Sequence, residues 1–137
     1  MRLVTLAPLN ANPAADRFLG DQLQAVRHYV VQAVVATRAR DGVEPTKPFW
    51  HHTALEALAA ARASNDAAAG AIALGARPYD YAAINQAIDS ARSFLRSAVD
   101  RNGTPFMPMI TQASRVAGHA RDLVDDALSA RALATSA

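Results

Sequence analysis

The sequence contains no cysteine. Disulfides, thiolate zinc sites and iron–sulfur clusters are therefore excluded, which suits a cytoplasmic chain or part of a particle assembled inside a cell. Lysine and glutamate are nearly missing: Lys47 is the only lysine, and Glu44 and Glu56 are the only glutamates. A di-iron bundle takes glutamates from several helices together with Glu-x-x-His pairs, so this composition rules it out. No apolar run approaches the ~18 residues of a membrane-spanning helix. The opening stretch MRLVTLAPLNANP has one basic residue and too short an apolar segment for a signal-peptide core. The phosphate-cradling pattern G-x-x-x-x-G-K-[ST], the dinucleotide turn G-x-G-x-x-G and the nucleophile elbow G-x-S-x-G are all missing. No cofactor and no metal are expected.

Hydrophobic residues make up 51% of the 137 residues but aromatics only 6%, so much of the apolar content is alanine. Alanine is the best helix former and a poor strand former, and its small side chain lets helices approach closely. The length fits one domain able to bury its own core. Net charge is +2, weaker than the basic excess of a non-specific nucleic-acid binder. Charged residues are 19%, below the roughly 25% of an ordinary domain. A lone bundle usually covers its surface with Glu and Lys, so this shortage points to surface covered by another chain.

The spacing predicts an all-α, Ala-rich bundle of four main helices plus one short helix, spanning residues 13–137, with an extended N-terminal arm over 1–12. In the arm, Val4, Thr5 and Leu6 are β-prone, and a single strand lacks a partner in a helical domain. It can lie along the bundle or pack on a neighbouring subunit. Asn12-Pro13 is a helix start. The first helix is expected over 13–40, about 42 Å at 1.5 Å per residue, with Gly42 as its stop and Arg38 and Arg40 in its last turn. Leu19, Leu23, Val26, Val30, Ala33 and Thr37 form its stripe.

A second helix is predicted over 48–63, with Leu55, Leu58 and Ala59 facing inward. Ser64-Asn65-Asp66 reads as an interruption that recaps a short third helix over 67–74, ended by Gly75. Asp80 caps a fourth helix over 81–101, striped by Tyr81, Ile84, Ile88, Ala91, Leu95 and Ala98. The last helix is expected over 109–133, with Ile110, Ala113, Ala117, Ala120, Val124 and Ala127 along its seam. The alternation of steps of three and four favours shallow crossing angles.

Several constellations have chemical potential. His52 and Glu56 share a helix face at i,i+4, and His28 is a conceivable third ligand. His51 and His52 point about 100° apart on a helix, and H-E-x-x-H spacing is lacking, so the bland reading of surface histidines is preferred. His119, Asp122 and Asp126 align on one face of the last helix, as an acid–base or cation site or, preferably, a solvated stripe. Arg115 and His119 sit one turn apart without a supporting base. Arg92, Arg96 and Arg101 make a basic side able to touch phosphates, but Asp89 and Asp100 dilute it, which favours an ion-pair face.

Two connections are apolar where loops are normally polar: Pro48-Phe49-Trp50 and the stretch from Pro105 to Ile110. They either fold under as end-caps of the core or form a contact patch. Taken together, these features lead to the expectation of a non-enzymatic, self-assembling or partner-binding helical protein, such as a structural subunit or adaptor of a larger, for example viral, assembly. Leu3, Val4, Leu6, Phe49, Trp50, Phe106 and Met107 are the expected contact residues. The partners expected are further copies or another protein, not membrane or nucleic acid. The alternatives are a small bundle enzyme or ligand binder built on His51, His52, Glu56 or His119, and a weak nucleic-acid binder.

Overall fold

A computed structural model of the chain describes residues 12–38, 49–99 and 104–136. Leu3, Val4 and Leu6, with the rest of the predicted arm before Asn12, lie outside these residues. The described residues form four helices and no strand: α1 (Pro13–Ala36), α2 (Trp50–Ile72), α3 (Tyr81–Arg96) and α4 (Met107–Ser136). An isolated bridge joins Val99 to Pro105 in the connection between α3 and α4.

The predicted start signals act as expected. The Asn12 side chain accepts from the N–H groups of Ala14 and Ala15 with Pro13 in first position, satisfying two otherwise orphaned donors. Asp80 caps α3 through the Ala83 N–H. At the end of α2 the N–H of Ala76 reaches Ala71 O and that of Gly75 reaches Ile72 O, the pairing of a Schellman motif. Gly75 has φ +102°, and a Cβ there would meet the Cβ of Asn12 at 3.0 Å. This turn therefore needs glycine for both its backbone and its space.

Each of α1 and α3 packs on both α2 and α4, giving a ring of four neighbouring pairs. Contacts run antiparallel. Asp16 and Arg27 of α1 meet Arg131 and Asp125 of α4, while Arg62 and Asn65 of α2 meet Asp89 and Asn85 of α3. The predicted stripes supply most of the core, except that Tyr81, at the first position of α3, is exposed. Leu19, Leu23, Val26, Val30 and Ala33 of α1 are buried, as are Ile84, Ile88, Ala91 and Leu95 of α3 and Ile110, Ala113, Ala117, Ala120 and Val124 of α4. The buried face of α2 is mostly Ala54, Ala57, Ala61, Ala68 and Ala71 around Leu58. Large α1 side chains thus meet a flat α2 surface, and this pairing is the most extensive in the bundle.

The expected short fifth helix does not exist as a separate element. Residues 67–72 belong to α2, which runs unbroken through Ser64-Asn65-Asp66. These residues are good caps because their side chains compete for nearby backbone groups. Asn65 instead turns inward and is fully buried, donating to Tyr81 O at 3.1 Å and Asn85 Oδ1 at 2.7 Å. Tertiary partners on α3 outweigh its local capping tendency. Ala59 faces solvent, and Ala57 and Ala61 take the inner positions instead.

Helix ends also shift. α1 stops at Ala36, where Thr37 bonds back to Ala33 O at 2.8 Å and Val34 O at 3.2 Å. α3 stops at Arg96, not 101, and the Phe106 N–H then returns to Ala98 O at 2.7 Å. α4 begins two residues before the predicted start, because Pro108 fits the first turn, where no N–H is required.

Candidate functional site

Helices α2 and α4 run in the same direction, so their N-termini lie at the same end of the bundle. Both apolar connections are therefore brought to that end, although 56 residues separate Trp50 from Phe106 in the chain. Phe49 is 81% exposed and Phe106 is 51% exposed. Trp50 is half-buried against the core and Met107 is half-buried. Of the two sequence readings, Trp50 matches the end-cap, whereas the rings of Phe49 and Phe106 stand in solvent.

Backbone geometry holds Phe49 there. It precedes α2 with φ 60° and ψ 21°, the left-handed region, which is an outlier for a bulky residue. Its carbonyl accepts from the Thr53 N–H at 2.8 Å, closing the first turn, and among the described residues no side chain caps α2. Trp50 stands edge-on to His51 with ring centroids 5.4 Å apart. The His51 Nε2 lies 2.6 Å from Leu95 O. A carbonyl only accepts, so this nitrogen carries the proton. His51 thereby ties the start of α2 to the end of α3.

The remaining titratable candidates are dispersed. His52 pairs with Glu56 at 3.1 Å on the solvent side of α2. His28 meets the Gln32 amide at 3.2 Å on α1. His119 is exposed on α4 and borders a shallow groove with Phe94, Val116 and Leu123. Asp122 pairs with Arg121 rather than with His119. Among the described residues no three His, Cys, Asp or Glu side chains form a metal-ligand group. On α3, Asp89 is engaged by Arg62 at 2.7 Å, and Arg101 lies outside the described residues. The Arg92 Nε is buried without a hydrogen-bond partner.

The opposite end carries a polar cluster that sequence reasoning missed. Asp16 of α1 accepts from the Arg77 backbone N–H at 2.8 Å, from Arg77 Nε at 3.1 Å and from an Arg131 Nη at 2.8 Å. Arg131 also donates to Arg77 O at 3.0 Å. The side chain of Arg131 is 12% exposed and that of Asp16 is 19% exposed. Burial pushes the Asp16 carboxyl up, but the Arg77 N–H, the Arg131 hydrogen bond and two guanidinium charges together pull it below the ordinary aspartate value. Three elements are tied at one carboxylate. No sequence signal marks this, because the partners are 61 and 115 residues away from Asp16.

A second polar chain joins α2 to α3. The Tyr79 hydroxyl donates to Asn65 Oδ1 at 2.5 Å, and the Asn85 amide donates to Asp66 at 3.3 Å. Burial, reinforced by the nearby Asp66 charge, raises the Tyr79 phenol strongly, so it stays a neutral donor. The hydrogen bond that Arg62 donates to Asp89, then the one it donates to Asp66, raises Arg62 further above its ordinary value. Both networks fix helices relative to one another, and Arg77, Tyr79 and Arg131 also border a groove of about 370 Å³ between α3 and α4. None of the described helices is long and apolar enough to cross a membrane. Comparison with protein-family models, curated proteins and solved structures finds no match.

Proposed function

We propose that this chain is a non-enzymatic helical protein whose role is to associate, with further copies of itself or with a partner protein, as a subunit or adaptor of a larger assembly. One observation supports the reading: both apolar connections lie at one end of the bundle, with Phe49 and Phe106 turned to solvent. Aromatic anchors of this kind dominate interface energetics, and the prolines beside them reduce the ordering entropy of docking. The low charge content supports the same reading. Leu3, Val4, Leu6, Trp50 and Met107 complete the proposed contact set.

Light scattering of the purified chain tests it. The expected result is a mass above that of one chain, falling toward one chain when Phe49→Ser and Phe106→Ser are combined. A single-chain mass at every concentration across the micromolar range, together with an unchanged mass when candidate partners are added, rejects the reading.

A further inference from the structure

Charges left over from the helix-tying networks fall into two stripes. On the outer side of α4, Arg115, His119, Asp122 and Asp126 follow at steps of four, three and four, and all are exposed. Asp122 meets only the adjacent Arg121. Arg115, His119 and Asp126 are in no ion pair among the described residues.

On α3, Asn85, Asp89, Arg92 and Arg96 repeat the same steps. Asn85 and Asp89 are tied to Asn65 and Arg62 of α2, and then the seam changes character. The antiparallel register that sets Arg62 beside Asp89 continues with Ala59 near Arg92 and Leu55 near Arg96. No carboxylate of α2 is paired with either arginine. Arg92 stays 3.8 Å from Asp89, beyond hydrogen-bond reach, and its Nε is buried without a partner. Arg96 is exposed.

The stripes are complementary in one alignment. With α4 of one copy parallel to α3 of another, Asp122 falls opposite Arg92 and Asp126 opposite Arg96. One turn back, His119 falls opposite Asp89. Arg115 falls opposite Asn85, whose amide is bonded to Asp66. The same ridge of α4 continues two turns past Asp126 to Leu133, which is 72% exposed. In this alignment Leu133 lies about 10 Å beyond Arg96. The end of α3 is there flanked by both exposed rings: the Phe106 N–H bonds Ala98 O at 2.7 Å, and His51, two residues after Phe49, bonds Leu95 O at 2.6 Å.

We infer that α4 of one copy docks along the α2–α3 seam of a second copy, with Asp122 and Asp126 on Arg92 and Arg96 and with Leu133 against Phe49 and Phe106. The inference rests on the self-association proposed above and names the surface that meets the two rings. The chain's own α4 is unable to supply the contact. Its Asp126 borders the same groove as Ile84, and Ile84 is about 18 Å from Arg96 along α3. Exposed ion pairs contribute little energy each, but they select partner and register. The charges therefore fix the alignment, while Leu133 and the rings bury apolar surface. Donor and receiving surfaces differ, so the contact is heterologous and copies add in succession.

Reversing one charge on either stripe tests the alignment. Arg96 and Asp126 are both exposed, so Arg96→Glu and Asp126→Arg are expected to unfold thermally close to the unsubstituted chain. Each sets like charges opposite one another and is expected to raise the concentration needed for assembly about tenfold by light scattering. An equal mixture of the two variants is expected to assemble again, since every stripe then finds the opposite charge on the other variant. Single variants that assemble like the unsubstituted chain, or a mixture of folded variants that stays apart, overturn the alignment and leave self-association standing. A single-chain mass for the unsubstituted chain across the micromolar range overturns the docking and leaves a different protein as the partner of the two rings.

Discussion

The two ends of the bundle hold their connections by different physics. Where α2 passes to α3, the turn is fixed by side chains: Asn12 on Leu74 and Gly75, Asp16 on Arg77, Arg131 across from α4, and Tyr79 on Asn65. At the other end the ties are mostly backbone bonds, with His51 on Leu95 as the side-chain exception among those described above. There the large side chains of Phe49 and Phe106 point outward. A polar turn that satisfies itself contributes to fold stability. An apolar turn that leaves rings in water contributes little to the monomer and offers surface to something else. Substitutions at the first end should therefore be read in unfolding experiments, and those at the second mainly in association.

The largest expected effect is Asn65→Ala. It removes the buried amide that Tyr79, Tyr81 and Asn85 use, leaves polar groups unpaired and is expected to cost about 3 kcal/mol in denaturant unfolding. A cost under about 1 kcal/mol would mean that water enters and replaces those bonds.

Next is Asp16→Asn, with an expected loss of about 2 kcal/mol at neutral pH, since hydrogen bonds between charged groups are the stronger kind. The pH dependence gives a sharper readout. The Asp16 pKa is lower in the folded state than the ordinary 3.8. Its stabilisation is therefore complete above that value and is lost as pH falls through the folded-state value. The stability gap between the wild-type and Asp16→Asn chains should be constant from pH 5 to 7 by the same linkage, roughly, and should narrow in more acidic solution. A gap that stays constant into strong acid would deny Asp16 its charged role.

The smallest effect has the opposite sign. Phe49→Gly replaces a bulky residue at φ 60° by one that adopts this conformation freely. It should raise stability by about 1 kcal/mol while weakening association. Loss of stability on this substitution would show that the ring packs usefully within its own chain, and the contrast between the two ends would disappear.

Much of the fold was legible because helix periodicity is a local property. The α1, α3 and α4 stripes needed only steps of three and four, and Asn12, Gly75 and Asp80 marked boundaries by capping chemistry that operates within a few residues. The break assigned at Ser64-Asn65-Asp66 failed for an informative reason. Ala54, Leu58, Ala61, Asn65 and Ala68 already continue one four-three-four-three series, so the periodic signal ran straight through the apparent cap. Composition suggested a stop, whereas spacing indicated continuation. The placing of Phe49 and Phe106 at one end follows from antiparallel order once α2 is a single helix. The Asp16 cluster was illegible because each partner is ordinary by itself, and what matters is their meeting in three dimensions.

Buried Asn65 has one more consequence. Helix faces made largely of alanine have low relief, and two of them can slide by a turn with little steric penalty. An amide that finds acceptors on α3 in one alignment and none in the next acts as an index pin, excluding neighbouring registers at little expense in volume. A sequence as repetitive as this one can thereby specify a single arrangement, and the pin lies in the tripeptide that looked most like a break.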